Sequence, residues 1–159
     1  MIVFVKTTQE NSILYLWHHT SLAVRDVDLS LAFYCTAFNF SVVLDERGVT
    51  KTIESITGMP GLTCNLIQLR SPQSDHILEL IEFSHPEQTL PAIDERPVGP
   101  GAAHICYHVP DLYQTLEYIK SLGAICIGSV TKFDEGLSAY CQEPGGSFLE
   151  IEELFEEIK

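Results

Sequence analysis

Basic side chains are scarce in this 159-residue chain. It has 9 Lys and Arg residues against 22 Asp and Glu residues, which gives a formal net charge of −13 at pH 7. Nucleic-acid binding draws most of its affinity from cationic side chains that displace counterions, and anionic membrane surfaces select for the same side chains. We therefore expect neither nucleic acid nor a membrane surface among the partners of this chain.

Long apolar runs are also missing. No uncharged segment reaches the roughly 18 to 20 residues that a membrane span requires. Residues 1–17 have neither the basic start nor the small-residue cleavage site of a secretory leader. These features predict a cytoplasmic protein.

Cysteine pairs at metal-binding spacing are absent as well. The five cysteines are odd in number and none forms a CxxC motif, and most of them lie within apolar stretches. This pattern favours reduced, buried thiols over disulfides or a zinc knuckle.

What the sequence does have is an internal repeat, in a chain whose 45% hydrophobic content is enough for a core. The segment HHTSLAVRDVDLSLAFYCTAF aligns without gaps with AHICYHVPDLYQTLEYIKSLG, so that His19 falls on His104 and Asp26 on Asp111. Each copy later ends in an apolar-acidic strand, ILELIEF in the first and FLEIEEL in the second. Such a repeat indicates one supersecondary unit used twice.

Each copy reads as a strand, a helix and three further strands. Asp26 and Asp111 are good helix N-caps, and apolar residues recur at helical spacing after each of them. We predict an α+β fold in a single domain of residues 1–159, because neither unit is large enough to stand alone comfortably. The two βαβββ modules would span about 14–83 and 102–153, joined by a Pro-rich linker at 84–101, and residues 124–130 would form one strand of the second module.

Two histidines and two glutamates occupy equivalent places in the repeat. His19 and His104 lie in the first strand of each module, and Glu79 and Glu150 lie in the last. Two imidazoles and two carboxylates suit a divalent first-row metal and leave room for a substrate. On the residues alone, a metal site and a set of ordinary strand residues remain equally good interpretations.

The repeated segments, together with HILELIEF and EPGGSFLEIEE, make the sequence resemble the vicinal oxygen chelate superfamily (glyoxalase / bleomycin resistance protein / dioxygenase). The resemblance implies that the modules form a U-shaped incomplete β-barrel around a divalent metal ion such as Ni, Co, Zn, Mn or Fe. By position, it implies that His19, Glu79, His104 and Glu150 are the ligands. The ligand pattern is closest to those of glyoxalase I and methylmalonyl-CoA epimerase.

This resemblance implies a metal-dependent lyase or isomerase that acts on a small oxygenated substrate through a metal-stabilised enolate. Glu150 and Glu79 would then double as ligands and catalytic bases. Glyoxalase I usually has an Arg at the position of Ala23, in HTMLRV where this chain has HTSLAV, and an Asn where this chain has Phe83. These two departures put glutathione-dependent activity in doubt. No signature for coenzyme A is present.

Two alternatives stay open at this point. An extradiol-type ring-cleavage dioxygenase would use His19, His104 and Glu150 as ligands and leave the position of Glu79 to the substrate. A protein of the bleomycin-resistance type would bind a small molecule without metal. In each case we expect a homodimer, because an open, curved sheet leaves strand edges and apolar surface to cover.

The neighbours of the proposed ligands have expected places too. Side chains alternate between the two faces of a strand, so His18 should lie on the helix side of the first strand, opposite His19. His108 should share a face with His104. Tyr107 and Tyr140 are expected in the core.

Overall fold

The computed structural model describes residues 18–90, 97, 99 and 101–155. The predicted start of the first module and part of the proposed linker 84–101, residues 91–96, 98 and 100, lie outside the described residues. No helix in the described part of the chain is long and apolar enough to cross a membrane.

The described chain forms two modules, each with its own sheet. The first contains β1 (His19–Ala23), α1 (Val27–Phe38), β2 (Ser41–Val49), α2 (Lys51–Thr57), β3 (Thr63–Arg70) and β4 (Ile77–Ser84). The second contains β5 (His104–His108), α3 (Leu112–Ser121), β6 (Ile125–Cys126), β7 (Thr131–Lys132), β8 (Gly136–Gln142) and β9 (Phe148–Leu154). The sheets have the strand orders β1-β4-β3-β2 and β5-β9-β8-β6, with β7 also paired to β8. The predicted α+β fold of two repeated modules is confirmed.

Local signals set the helix ends as predicted. Asp26 accepts hydrogen bonds from the backbone N–H groups of Asp28 and Leu29, at 3.0 and 2.9 Å, and so caps α1. Asn39 closes α1 in the left-handed conformation, with φ of 57°. Asp111 caps α3 in the same way through the N–H of Gln114, at 2.9 Å.

The predicted strand at 124–130 is longer than the strand in the structure. Ile125 and Cys126 pair with β8, and the Ile127 N–H still donates to the Tyr140 carbonyl at 3.0 Å. The chain then leaves the ladder around Gly128, and a glycine in a strand offers no side chain to pack and weakens the pairing. Pairing with β8 resumes beyond the predicted range, at Thr131 and Lys132 of β7.

One large core joins the modules. Leu22 and Leu80 of the first sheet, Leu149 of the second, and side chains of α1 and α3 belong to one buried cluster. The rings of Phe38 and Tyr107 stack across the junction with centroids 4.1 Å apart. We call the face of each sheet that is turned away from α1 and α3 its open face. In the first module α2 covers part of that face, where Ile53 forms a smaller buried cluster with Ile81 and its neighbours.

The turn between β8 and β9 holds the two modules together. Glu143, which is 1% exposed, accepts hydrogen bonds from the Ser30 hydroxyl of α1 at 2.9 Å and from the backbone N–H of Ser147 at 2.7 Å. The hydroxyls of Tyr34 and Ser147 are 2.9 Å apart. The sequence predicts a turn here, and the structure adds that the turn carries a buried carboxylate bonded to the other module.

Candidate functional site

The first predicted pair lies on the open face of the first sheet. Leu78 and Leu80 of β4 point into the core, so Glu79 between them points to the open face. Glu79 is 8% exposed, and its Oε1 is 3.7 Å from Nε2 of His19. Gln68, directly opposite on β3, donates from Nε2 to the other oxygen of Glu79 at 2.9 Å. The carboxylate is thereby held toward the histidine.

The second predicted pair has the equivalent place on the second sheet. Nε2 of His104 is 3.2 Å from Oε2 of Glu150. The hydroxyl of Ser138, on β8, donates to the other oxygen of Glu150. The Tyr140 hydroxyl lies 3.4 Å from Nε2 of His104, and the two rings meet edge to face. Each predicted pair is thus supported by the neighbouring strand of its own sheet.

The structure brings the four predicted residues together in two pairs, one on each sheet. Within the described residues of one chain, no three His, Cys, Asp or Glu side chains are grouped so that they could hold a metal ion. Each pair on its own offers one imidazole nitrogen and one carboxylate. A complete site of the predicted kind would need both pairs.

His18 is not packed against the helix side, as the alternation of strand faces led us to expect. It lies just before β1, is exposed, and places its Nδ1 2.8 Å from Nδ1 of His19. Alternation does not apply to a residue outside the strand, which is why the expectation failed. His18 therefore contacts the nitrogen of His19 that points away from Glu79.

Tyr140 also differs from the prediction of a core residue. It is 38% exposed and shares the open face with Glu150, its register partner on β9. The alternation along β8 could have shown this, because Leu137, Ala139 and Cys141 form an apolar face and Tyr140 lies on the other face with Ser138 and Gln142. Tyr107, by contrast, packs against the core as predicted.

A second polar row lies beside the Glu150 pair. His108, Glu152 and Ser138 are neighbours in register on the open face, with His108 exposed on the same face as His104. Cys106 lies between the two histidines, 3.9 Å from Glu152. Burial and the carboxylates of Glu150 and Glu152 raise the pKa of the Cys106 thiol to about 12, so it stays protonated and can donate to these carboxylates.

Two side chains that contact the second pair, Ser138 and Tyr140, line a cavity of about 610 Å³ together with Pro97, Ile127 and Phe133. A second, of about 370 Å³, lies at the junction of the modules. Its wall includes residues of β1 and of the second module: Ser21, Ala23, Gly101, Ala103, Gly146 and Phe148. The larger cavity has room for a small substrate.

The donor set fits a divalent first-row metal ion. Two imidazoles and two carboxylates would supply nitrogen and oxygen ligands, and three of the four contact a polar side chain from another strand of their own sheet. Such outer contacts orient metal-binding side chains and raise their affinity.

The sequence matches one protein family. Residues 17–151 match the family described as the Glyoxalase/Bleomycin resistance protein/Dioxygenase superfamily. No curated protein matches the sequence. Among solved structures, a glyoxalase family protein from Bacillus cereus is 17% identical with a TM-score of 0.72, over 94% of this chain and 100% of that one.

Two further neighbours have more specific names. A lactoylglutathione lyase from Agrobacterium tumefaciens is 19% identical, with a TM-score of 0.53 over 89% of this chain and 96% of that one. A variant of the fosfomycin resistance protein FosX from Listeria monocytogenes, complexed with Mn(II) and a dihydroxypropylphosphonic acid, is 14% identical. Its TM-score is 0.56 over 88% of this chain and 90% of that one. At these identities the likeness shows a shared fold. With the family match over most of its length, the chain belongs to the Glyoxalase/Bleomycin resistance protein/Dioxygenase superfamily.

Proposed function

We propose that this chain is a metal-dependent lyase or isomerase that acts on a small oxygenated substrate. His19, Glu79, His104 and Glu150 would hold one divalent ion, with each His–Glu pair supplied by a different copy of the chain. When bound, the ion would act as a Lewis acid on neighbouring substrate oxygens. Two solved neighbours, one named as a lyase and one complexed with Mn(II), support this class of activity.

The observation that carries the proposal is the equivalence of the two pairs. Each module places one histidine next to one glutamate on its open face, at 3.7 Å in the first and 3.2 Å in the second. In each module, a side chain on the neighbouring strand, Gln68 or Ser138, donates a hydrogen bond to the glutamate oxygen that faces away from the histidine. Ordinary strand residues would have no reason to repeat this arrangement.

The two glutamates are suited to different tasks. Gln68 donates an amide N–H to Glu79, whose side chain is only 10% exposed. Ser138 binds Glu150 through a hydroxyl, which can donate or accept, and Glu150 is the more exposed of the two. Glu150 is therefore the better candidate for moving a substrate proton, and Glu79 for holding charge in place.

A homodimer would complete the site. Among the described strands, β1 and β5 each lie at an edge of their sheet, next to the histidine of that module. A symmetric dimer that placed the first module of one copy against the second module of the other would join a His19–Glu79 pair to a His104–Glu150 pair twice.

Mixing two inactive variants tests both the ligands and their sharing. His19→Ala and His104→Ala should each lose most of the bound metal, because each removes one ligand. In a heterodimer of the two variants, one site has lost both histidines and the other is intact. Random re-association should thus restore about a quarter of the wild-type metal content and activity.

The outcomes are separable. If each variant alone retains metal at wild-type stoichiometry, the ligand assignment is wrong. If both lose it and mixing restores none, while sedimentation shows that heterodimers formed, the site is not shared. Mixing His19→Ala with Glu79→Gln is the matched control, since both changes fall in the same half-site and no intact site can arise.

Glu79→Gln distinguishes the lyase or isomerase from the dioxygenase alternative. If Glu79 is a ligand, this change keeps one oxygen donor and removes a negative charge, so metal affinity should fall. In a dioxygenase with three ligands, metal occupancy would be unchanged and oxygen uptake would accompany turnover. Metal titration of the variant, with oxygen consumption by the wild type, separates the two.

A further inference from the structure

Register across the first sheet arranges the open-face side chains in three rows. The rows, read across β3, β4 and β1, are Arg70, Ile77 and His19; then Gln68, Glu79 and Ser21; then Leu66, Ile81 and Ala23. The first row contains a cation, the second contains the Glu79 carboxylate, and the third is apolar. The His19–Glu79 pair thus has a cation on one side, and on the other an apolar row whose Ile81 is buried against Ile53 of α2.

Arg70 is the cation of this face. The described strands contain two other basic residues, and both are engaged elsewhere. Arg47 binds Asp28 of α1 at 2.8 Å and also binds Asp45, on the helix side of the sheet. The Lys132 Nζ lies 5.3 Å from the centre of the Phe155 ring. Lys132 is also the register partner of Leu137, whose side chain packs on the core, so Lys132 lies on the core face of its sheet.

The nearest acidic partner of Arg70 does not neutralise it. Nη1 of Arg70 is 3.7 Å from Asp75, whose side chain is fully exposed, and half of the arginine side chain is itself exposed. An exposed pair at this distance contributes little, and water or a ligand can replace it. The guanidinium is therefore available to a bound anion.

We infer that Arg70 anchors an oxyanion group of the substrate, of the carboxylate or phosphonate type, while the metal-binding end of the substrate lies at His19 and Glu79. This inference rests on the proposed function, since it assigns the substrate class of the same site. Adjacent strands are about 4.8 Å apart, so two strand spacings separate the backbones of Arg70 and His19 by about 10 Å. A small acid with oxygen groups at both ends could bridge this gap.

The surrounding charge makes the inference specific. In a chain with a net charge of −13, a free anion is repelled unless a local cation attracts it. The planar fork of an arginine offers two parallel N–H donors, which match a carboxylate or phosphonate group. A neutral substrate would gain nothing from a cation at this position.

A matched pair of ligands tests the inference on the metal-loaded protein. 2-Oxoglutarate and 2-oxopentanoate have the same chelating end and chain length, and only the first has a carboxylate at the far end. By calorimetric titration, wild-type protein should bind 2-oxoglutarate about tenfold more tightly. Arg70→Gln should abolish this preference and leave metal content unchanged, and Arg70→Lys should retain part of it.

Lys120→Gln is the control, because it removes one positive charge from an exposed position on α3 and should keep the preference. A phosphonate analogue of 2-oxoglutarate, substituted at the far carboxylate, shows which oxyanion Arg70 prefers. A preference that is absent in the wild type, or that survives in Arg70→Gln, would overturn the inference even if metal binding is normal. Failure of the wild type to bind metal would instead refute the proposed function and, with it, the inference. Without any variant, raising the salt concentration should weaken the preference, since screening acts on the exposed guanidinium.

Discussion

At the scale of single residues, the support of each proposed ligand can be measured separately from the ligand itself. Ser138→Ala removes the hydroxyl that donates to Glu150 and leaves the carboxylate in place. We expect metal affinity to fall by about 10- to 100-fold with little change in stability, because the carboxylate is no longer held toward His104. Ser55→Ala, at an exposed position of α2, should change neither. Equal metal dissociation constants for both variants would show that Ser138 does not support a metal ligand.

The hydroxyls of Tyr107 and Tyr34 differ in hydrogen bonding, and removing each should affect stability differently. Among the buried side-chain nitrogen and oxygen atoms of the described residues, the Tyr107 hydroxyl is the one without a hydrogen-bond partner, whereas the Tyr34 hydroxyl bonds to Ser147. Tyr107→Phe should leave the free energy of unfolding unchanged or raise it by up to about 1 kcal/mol, since it removes an uncompensated polar group. Tyr34→Phe should lower it by about 1 to 2 kcal/mol. Urea denaturation of both variants would contradict this if Tyr107→Phe were the more destabilising change.

At the scale of elements, the turn between β8 and β9 is the part of the second module that α1 depends on. Glu143→Ala would leave several buried donors, including the Ser30 hydroxyl, without an acceptor. We expect unfolding to become easier by about 3 kcal/mol or more. Glu117→Ala, on the exposed face of α3, should cost less than about 0.5 kcal/mol. A small effect at Glu143 would mean that the modules are held by their apolar contacts alone.

The same elements show what the sequence could and could not predict. The ends of α1 follow from Asp26 and Asn39, because capping depends on residues close in the chain. The strand predicted at 124–130 is shorter in the structure because its pairing depends on a distant partner, β8. His19, Glu79, His104 and Glu150 could be singled out from the repeat, but their supporting residues could not. Gln68 and Ser138 become neighbours of the glutamates only through cross-strand register.

At the scale of the whole molecule, the acidic charge opposes the proposed dimer. Two chains of net charge −13 repel each other at low salt, and screening weakens that repulsion. The dimer dissociation constant, measured by sedimentation, should fall severalfold between about 20 mM and 300 mM NaCl. Near the pI of about 4.7 the dependence should vanish, which is the internal control. A dimer that weakens as salt increases would point instead to an interface held by ion pairs.

The unequal rows beside the two His–Glu pairs have a consequence for stereochemistry. Next to Glu79 the open face carries Leu66, Ile81 and Ala23, and Ile81 packs against α2, whereas next to Glu150 it carries Ser138, Glu152 and His108. A repeat with identical halves would accept a ligand in either of two orientations. Because the halves differ in polarity, the proposed shared site would give a substrate one favoured orientation and would turn one prochiral face toward each glutamate. A scaffold built from two copies of one module could in this way bind a prochiral substrate stereoselectively.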